Sequence, residues 1–227
     1  MGSYLLALPP WSPPRMLKLD HITVIAPTLR EGVAHVRDCL ALDVPFGTRH
    51  HYMSTHNHRL QLGNGVYLEI VALDPHGITP GRARWFGLDD QDAVRQDWDE
   101  GRRLRGWVAA TNDLQAIVAA HGTVFGNEVP LPPEDPAFAF AIPGDGTLPA
   151  DGALPSLIDH RGDLTSMDDI PELGARLRTL TLEHPDPATI EKLYRVLAVD
   201  HPPRIVKGRE IRYRAQIDTP AGAKELT

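Results

Sequence analysis

The chain contains a single cysteine, Cys39, which excludes an intrachain disulfide framework. Cys39 falls in the apolar pattern of a helix, where a thiol is usually buried and inert rather than nucleophilic. No apolar run approaches the length needed to span a bilayer. Basic residues are outnumbered, 23 Lys and Arg against 30 Asp and Glu, for a formal net charge of −7 with histidines neutral. They are scattered rather than striped, so charge gives no reason to expect nucleic acid or an anionic membrane as a partner. Also missing are a nucleophile elbow, a phosphate-binding glycine loop and a zinc-finger cysteine set. Gly144-Asp145-Gly146 lies in a proline-rich loop and is a turn signal only.

What is present is an ordinary globular composition over 227 residues, enough for one large domain or two small ones. Residues 1–16 read as a leader, flexible or packed on a neighbouring surface. Leu5, Leu6 and Leu8 are too short a patch for a signal-peptide core and lack a basic start. A cytoplasmic location is the default expectation.

From Leu17 the pattern becomes regular. Leu17 to Ile25 predicts a strand, and Leu29, Val33, Val36 and Leu40 predict a helix, with Thr28 and Glu31 in capping-box spacing. Arg49 to Met53, Arg59 to Leu62 and Val66 to Leu73 follow as strands, the last two joined by Asn64-Gly65, a hairpin turn signal. A second pass starts near Leu104, where Gly106 to Leu114 can be laid on His21 to Leu29. A helix follows over Gln115 to Ala120, stopped at Gly122, then strands Ala137 to Ile142 and Leu154 to Asp159. The proline-rich stretch between Gly126 and Pro155 reads largely as loop. A third, partial pass predicts strand Arg178 to Leu182, helix Pro187 to Leu197, and strands Arg204 to Val206 and Glu210 to Ile217. Internal repetition points to modular architecture. The expected units are 17–103, a first module with a connecting helix; 104–170, a second module; and 171–227, a third partial module.

Two strings carry the chemistry. Leu19-Asp20-His21-Ile22-Thr23 and Val66-Tyr67-Leu68-Glu69-Ile70 each place one good metal ligand in a strand-like run. With Ser54-Thr55-His56-Asn57-His58, Leu62-Gly63-Asn64-Gly65, Arg84-Trp85-Phe86-Gly87-Leu88 and Leu104-Arg105-Gly106-Trp107-Val108, the chain resembles the glyoxalase-like branch of the vicinal oxygen chelate superfamily. The resemblance covers roughly residues 17 to 220. It implies an α+β fold of paired βαβββ modules, forming a curved mixed sheet around a cleft, plus a third partial βαββ module. It says little about the reaction, because one fold hosts many chemistries.

The resemblance also implies a divalent metal (zinc, manganese, iron or nickel) held by residues of the first and fourth strands of each module. Carried over, the ligands are His21, Glu69 and Asp159, with His160 as substitute for Asp159; the counterpart of His21 in the second module is Gly106, which cannot ligate. Three ligands would leave open positions for substrate. The alternative is that His21 and Glu69 simply hydrogen-bond each other in a cleft. Glu69 and Asp159 are the candidate proton-shuttling residues, and Thr55, His56, Asn57 and Trp107 the candidate substrate contacts. Trp85 and Phe86 read as core anchors in preference to substrate platforms.

Two functions compete. One is a small-molecule enzyme with isomerase, lyase or dioxygenase chemistry. The other is a binding protein that sequesters a small molecule unchanged. Either takes a small-molecule ligand. A homodimer is also expected, since curved open sheets leave edge strands that need cover.

Overall fold

The computed structural model describes residues 16–162 and 165–227; the expected leader, Met16 aside, lies outside the described residues. The first module runs β1 (Leu17–Ile25), α1 (Leu29–Leu40), β2 (Phe46–His50), β3 (Thr55–Gln61) and β4 (Tyr67–Leu73). Thr28 caps α1 as its spacing with Glu31 requires. Its Oγ1 accepts the Glu31 N–H at 3.2 Å and donates to the Glu31 carboxylate at 2.6 Å. Asn64 and Gly65, both at positive φ, turn β3 into β4. A short turn, Trp85–Gly87, and helix α2 (Gln91–Asp99) lead to the second module. This is β5 (Leu104–Ala110), α3 (Leu114–Phe125), β6 (Asn127–Leu131), β7 (Phe138–Ile142) and β8 (Ser156–Asp159). After a helical turn α4 (Thr165–Asp168), the third unit is β9 (Arg176–His184), α5 (Pro187–Val196), β10 (Val199–Asp200), β11 (Arg204–Lys207), β12 (Arg212–Thr219) and β13 (Gly222–Leu226).

The two βαβββ modules form one curved mixed sheet in the order β2-β3-β4-β1-β5-β8-β7-β6, with β10 added in parallel at the start of β1. The order is symmetric about the antiparallel β1–β5 pair. His21 pairs with Val108, Gly106 with Thr23, and Ile22 faces Trp107 at the centre. The same offset therefore carries His21 onto Gly106 and Thr23 onto Val108. Thr23 pairs with Glu69 and Val108 with Ser156, so the counterpart of Glu69 is Ser156 and not Asp159. The third unit folds into a second sheet, β11-β9-β12-β13.

One face of the main sheet is covered. Ile22, Val24, Leu68, Ile70, Trp107 and Leu157 pack there against α1, α3, α5 and the inner face of the small sheet. The other face carries a second apolar cluster, with Ile25, Val71, Val108, Phe140 and Ile158 meeting Trp85, Phe86 and Val94. No helix among the described residues is long and apolar enough to cross a membrane.

Several boundaries differ from expectation for local reasons. The second strand is Phe46–His50, because residues 51–54 turn, with Ser54 at φ 51°. Helix α3 runs past Gly122 to Phe125, kinked at His121. Strand β6 lies inside the stretch read as loop. It tolerates Pro130 because it is the edge strand.

Candidate functional site

The site starts from an irregularity in β1. Against β5, Leu19 pairs with Ala109 and His21 with Val108, leaving Asp20 as an extra residue in a bulge. The bulge reverses the alternation of the strand. Leu17 and Leu19 pack in the covered core before it, Ile22 and Val24 after it. His21 and Thr23 are thereby turned to the cleft face, and Asp20, only 3% exposed, stays beside His21.

Asp20 is held by two imidazoles. His21 Nδ1 donates to Oδ1 at 2.6 Å and His160 Nε2 donates to Oδ2 at 2.7 Å. The other ring nitrogen of His21, Nε2, lies 3.4 Å from Glu69 Oε2, yet it is buried without a hydrogen-bond partner. Tyr67 lies under the imidazole, with ring centroids 4.4 Å apart at 22°. Glu69 is fixed from its far side. Asn57 Nδ2 donates to Oε1 at 2.7 Å, while Asn57 Oδ1 accepts the Thr48 backbone N–H at 2.7 Å. A backbone donor thus determines which way the amide faces.

The charges follow from this packing. Burial opposes a cation at His21, but Asp20 and Glu69 overcome it and raise the pKa to about 9. Burial would raise both carboxylates. His160 and His21 instead hold Asp20 well below the usual range, and His21, His50 and Asn57 lower Glu69. At neutral pH the centre is an imidazolium between two carboxylates. Burial pushes His50 down to about 4, so it is neutral. Burial and the charges of Asp20 and Glu69 push the Tyr67 phenol up.

Around this centre is a cleft of about 380 Å3 whose lining includes Tyr52, Trp85, Phe86, Phe138, Phe140 and Ile158. That volume suits one small molecule. The turn carrying Trp85 and Phe86 is tied to the second module by the Gly87 N–H, which donates to Gly146 O at 2.7 Å. Gly146 has φ +74°, and a Cβ there would meet the Arg84 carbonyl at 2.1 Å. The chain can approach this closely only without a side chain.

Of the residues singled out from the sequence, His21, Glu69, Asn57 and His160 meet here. Asp159 does not. Ile158 and His160 line the cleft, while Asp159 lies between them in the strand alternation and accepts the Arg161 N–H at 2.7 Å. Thr55 is buried, its hydroxyl 3.2 Å from His50 Nδ1, and is not part of the lining. His56 precedes Asn57 on β3 and takes the opposite face. Trp107 is in the covered core, edge-on to Tyr194 at 6.0 Å. Trp85 and Phe86, read as anchors, serve both the core and the cleft wall. Among the residues missed was Asp20, which a regular strand would have turned away from His21; Thr48 and Arg59 on the cleft lining were missed as well.

Among the described residues no three His, Cys, Asp or Glu side chains are arranged to hold a metal ion. His21 Nε2 and Glu69 Oε2 are adjacent, but the further donors are committed: Asp20 faces Nδ1, and His160 Nε2 donates to Asp20. The three-ligand centre implied by resemblance does not fit this arrangement.

The glyoxalase-like domain family model matches residues 19–198, and the chain belongs to that family. Among solved structures, a hypothetical protein from Staphylococcus aureus superposes with a TM-score of 0.59 at 14% identity, covering 89% of this chain and 91% of that one. This likeness is one of fold. A Streptomyces coelicolor methylmalonyl-CoA epimerase variant, in complex with 2-nitronate-propionyl-CoA, gives a TM-score of 0.35 at 16% identity, over 63% of this chain and 94% of that one. No curated protein matches the sequence.

Proposed function

We propose that the chain is a small-molecule enzyme that moves a proton at a carbon next to a carbonyl, an isomerase or lyase in type. One observation carries the reading: a buried imidazole, held cationic by two carboxylates, whose Nε2 lies in a cleft 3.4 Å from Glu69 without a well-formed hydrogen bond. Glu69 is ionised and is the base that takes the proton from carbon. The electron pair left behind moves onto the carbonyl oxygen. His21 donates a hydrogen bond from Nε2 to that oxygen, stabilising the enolate as charge develops. Asp20 does not touch the substrate; it keeps the proton on Nδ1 and supports the cation, and His160 holds Asp20 in place. Glu69 returns the proton to carbon. In this reading the His21 cation supplies the electrophile that a divalent metal supplies in a three-ligand centre, so a chelator leaves activity unchanged. A small-molecule ligand in place of nucleic acid, and a cytoplasmic location, belong to the same proposal.

The aromatic lining of the cleft favours a second reading, in which the ligand is sequestered and not turned over. Exchange in heavy water separates the two. Wild-type protein should catalyse deuterium incorporation next to the carbonyl in a panel of small ketones and oxo acids of varied carbonyl-to-carboxylate spacing, followed by proton NMR. Glu69→Gln should abolish exchange while calorimetry still reports binding. Binding without exchange in the wild type would establish sequestration and end the enzyme reading.

A further inference from the structure

Arg59 sits directly opposite Glu69 in the β3–β4 ladder, yet the two make no ion pair. Across such a pair the side chains start about 5 Å apart. The guanidinium instead turns toward β2, where Nη2 donates to Thr48 Oγ1 at 3.1 Å. Its Nε is buried with no hydrogen-bond partner. Among the described residues no carboxylate pairs with it; Asp169, also on the cleft lining, is exposed and forms no such pair. A cation kept partly out of water without a counterion is costly unless a ligand completes it.

The backbone makes room for this arrangement. A Cβ on Gly47 would lie 2.4 Å from Asn57 Oδ1 and 2.9 Å from Arg59 Nε. Only a residue without a side chain allows the amide that holds Glu69 and the guanidinium to lie side by side there. With His21 cationic, Asp20 and Glu69 leave one net negative charge at the centre, yet neither carboxylate forms an ion pair with Arg59, whose guanidinium turns to Thr48 instead.

We propose that the cleft binds a small carboxylic acid, its carboxylate on Arg59 and Thr48 and its apolar body against Trp85 and Phe140. Arg59 on β3 is two strands from His21 on β1, roughly 10 Å at the usual strand spacing. A ligand a few carbons long reaches from one to the other. This rests on the enzyme reading for what happens at the far end of the ligand, but the anion subsite can stand alone.

The test uses benzoate and its uncharged match benzamide, titrated by calorimetry into the full-length protein at low and high salt. Benzoate should bind about ten- to a hundredfold more tightly than benzamide, the equilibrium equivalent of one charge-assisted hydrogen bond, and its preference should shrink with salt. Arg59→Gln should remove the preference, and an unchanged circular dichroism spectrum and melting transition should show that the variant is folded. Thr48→Val should weaken benzoate alone, by less. Glu69→Gln should keep the preference, so the subsite survives even if proton exchange is never seen. Equal binding of the two probes, no binding of benzoate, or an unchanged preference in Arg59→Gln would overturn the proposal.

Discussion

The centre at His21 makes a quantitative statement about stability. In an unfolded chain the imidazole titrates near its model value of 6.5, whereas in the fold its pKa is raised to about 9. The folded state holds the proton more tightly, so this group's contribution is complete below pH about 6.5 and is lost as pH rises through about 9. The gap corresponds to about 3 kcal/mol at most, nearly all of which should disappear between pH 6.5 and 9.5. For a chain of this size that is a fall of about 6–12 °C in melting temperature. Asp20 and Glu69, with lowered pKa values, stay ionised throughout the window and add no slope. His50 acts on the other side. Pushed down to about 4, it contributes stability present above 6.5 and lost as pH falls toward 4. Calorimetric melts across pH should therefore peak near neutrality and descend on the alkaline side. In Glu69→Gln one of the two carboxylates is gone, so the descent should begin at lower pH and be shallower. NMR titration of the His21 ring gives the midpoint independently. A wild-type midpoint near 6.5, or an alkaline limb unchanged by Glu69→Gln, would refute the reasoning.

Two more outcomes are expected. Trp107→Ala should cost about 3–5 kcal/mol, the range for removing a large buried aromatic, while ligand affinity per folded molecule stays the same; a selective loss of affinity at full stability would put Trp107 in the cleft after all. The chain should also run as a homodimer in light scattering, because β2 and β6 end the main sheet without a further strand among the described residues and Phe46 on β2 is 53% exposed; a monomer at high concentration would remove the dimer and leave the cleft intact.

Much of the architecture was readable because local signals agreed. Thr28 and Glu31 bracket a helix start, Asn64-Gly65 marks a hairpin, and β1 and α1 fall on their expected spans. Repetition revealed the two modules, and the same offset that lays Gly106 on His21 is obeyed by the strand pairing. The site was harder. Pairing His21 with Glu69 followed from the motifs, but the carry-over by resemblance took Asp159 as the second-module counterpart of Glu69. The loops between β6 and β8 carry no periodicity from which to count, and the parallel register places Ser156 there. His56 and Trp107 fail for a simpler reason: each is one residue from a cleft position, and parity in a strand decides the face. Arg59 carried no signal, because an arginine in a polar strand reads as a solvated face until its neighbours are known.

Leu17, Leu19, Ile22 and Val24 change step at Asp20. Such a change of phase behaves like a hinge in a written line: upstream letters are read by the core on odd numbers, downstream letters on even ones. The chemistry sits at the point where the reading frame of the strand shifts. A family member could lose the centre without replacing His21 at all, by shortening β1 by one residue. The imidazole would then face the covered core or the strand would slip against β5. Comparing such chains by residue identity alone would miss the loss, whereas comparing the spacing of apolar residues on either side of the acid would reveal it.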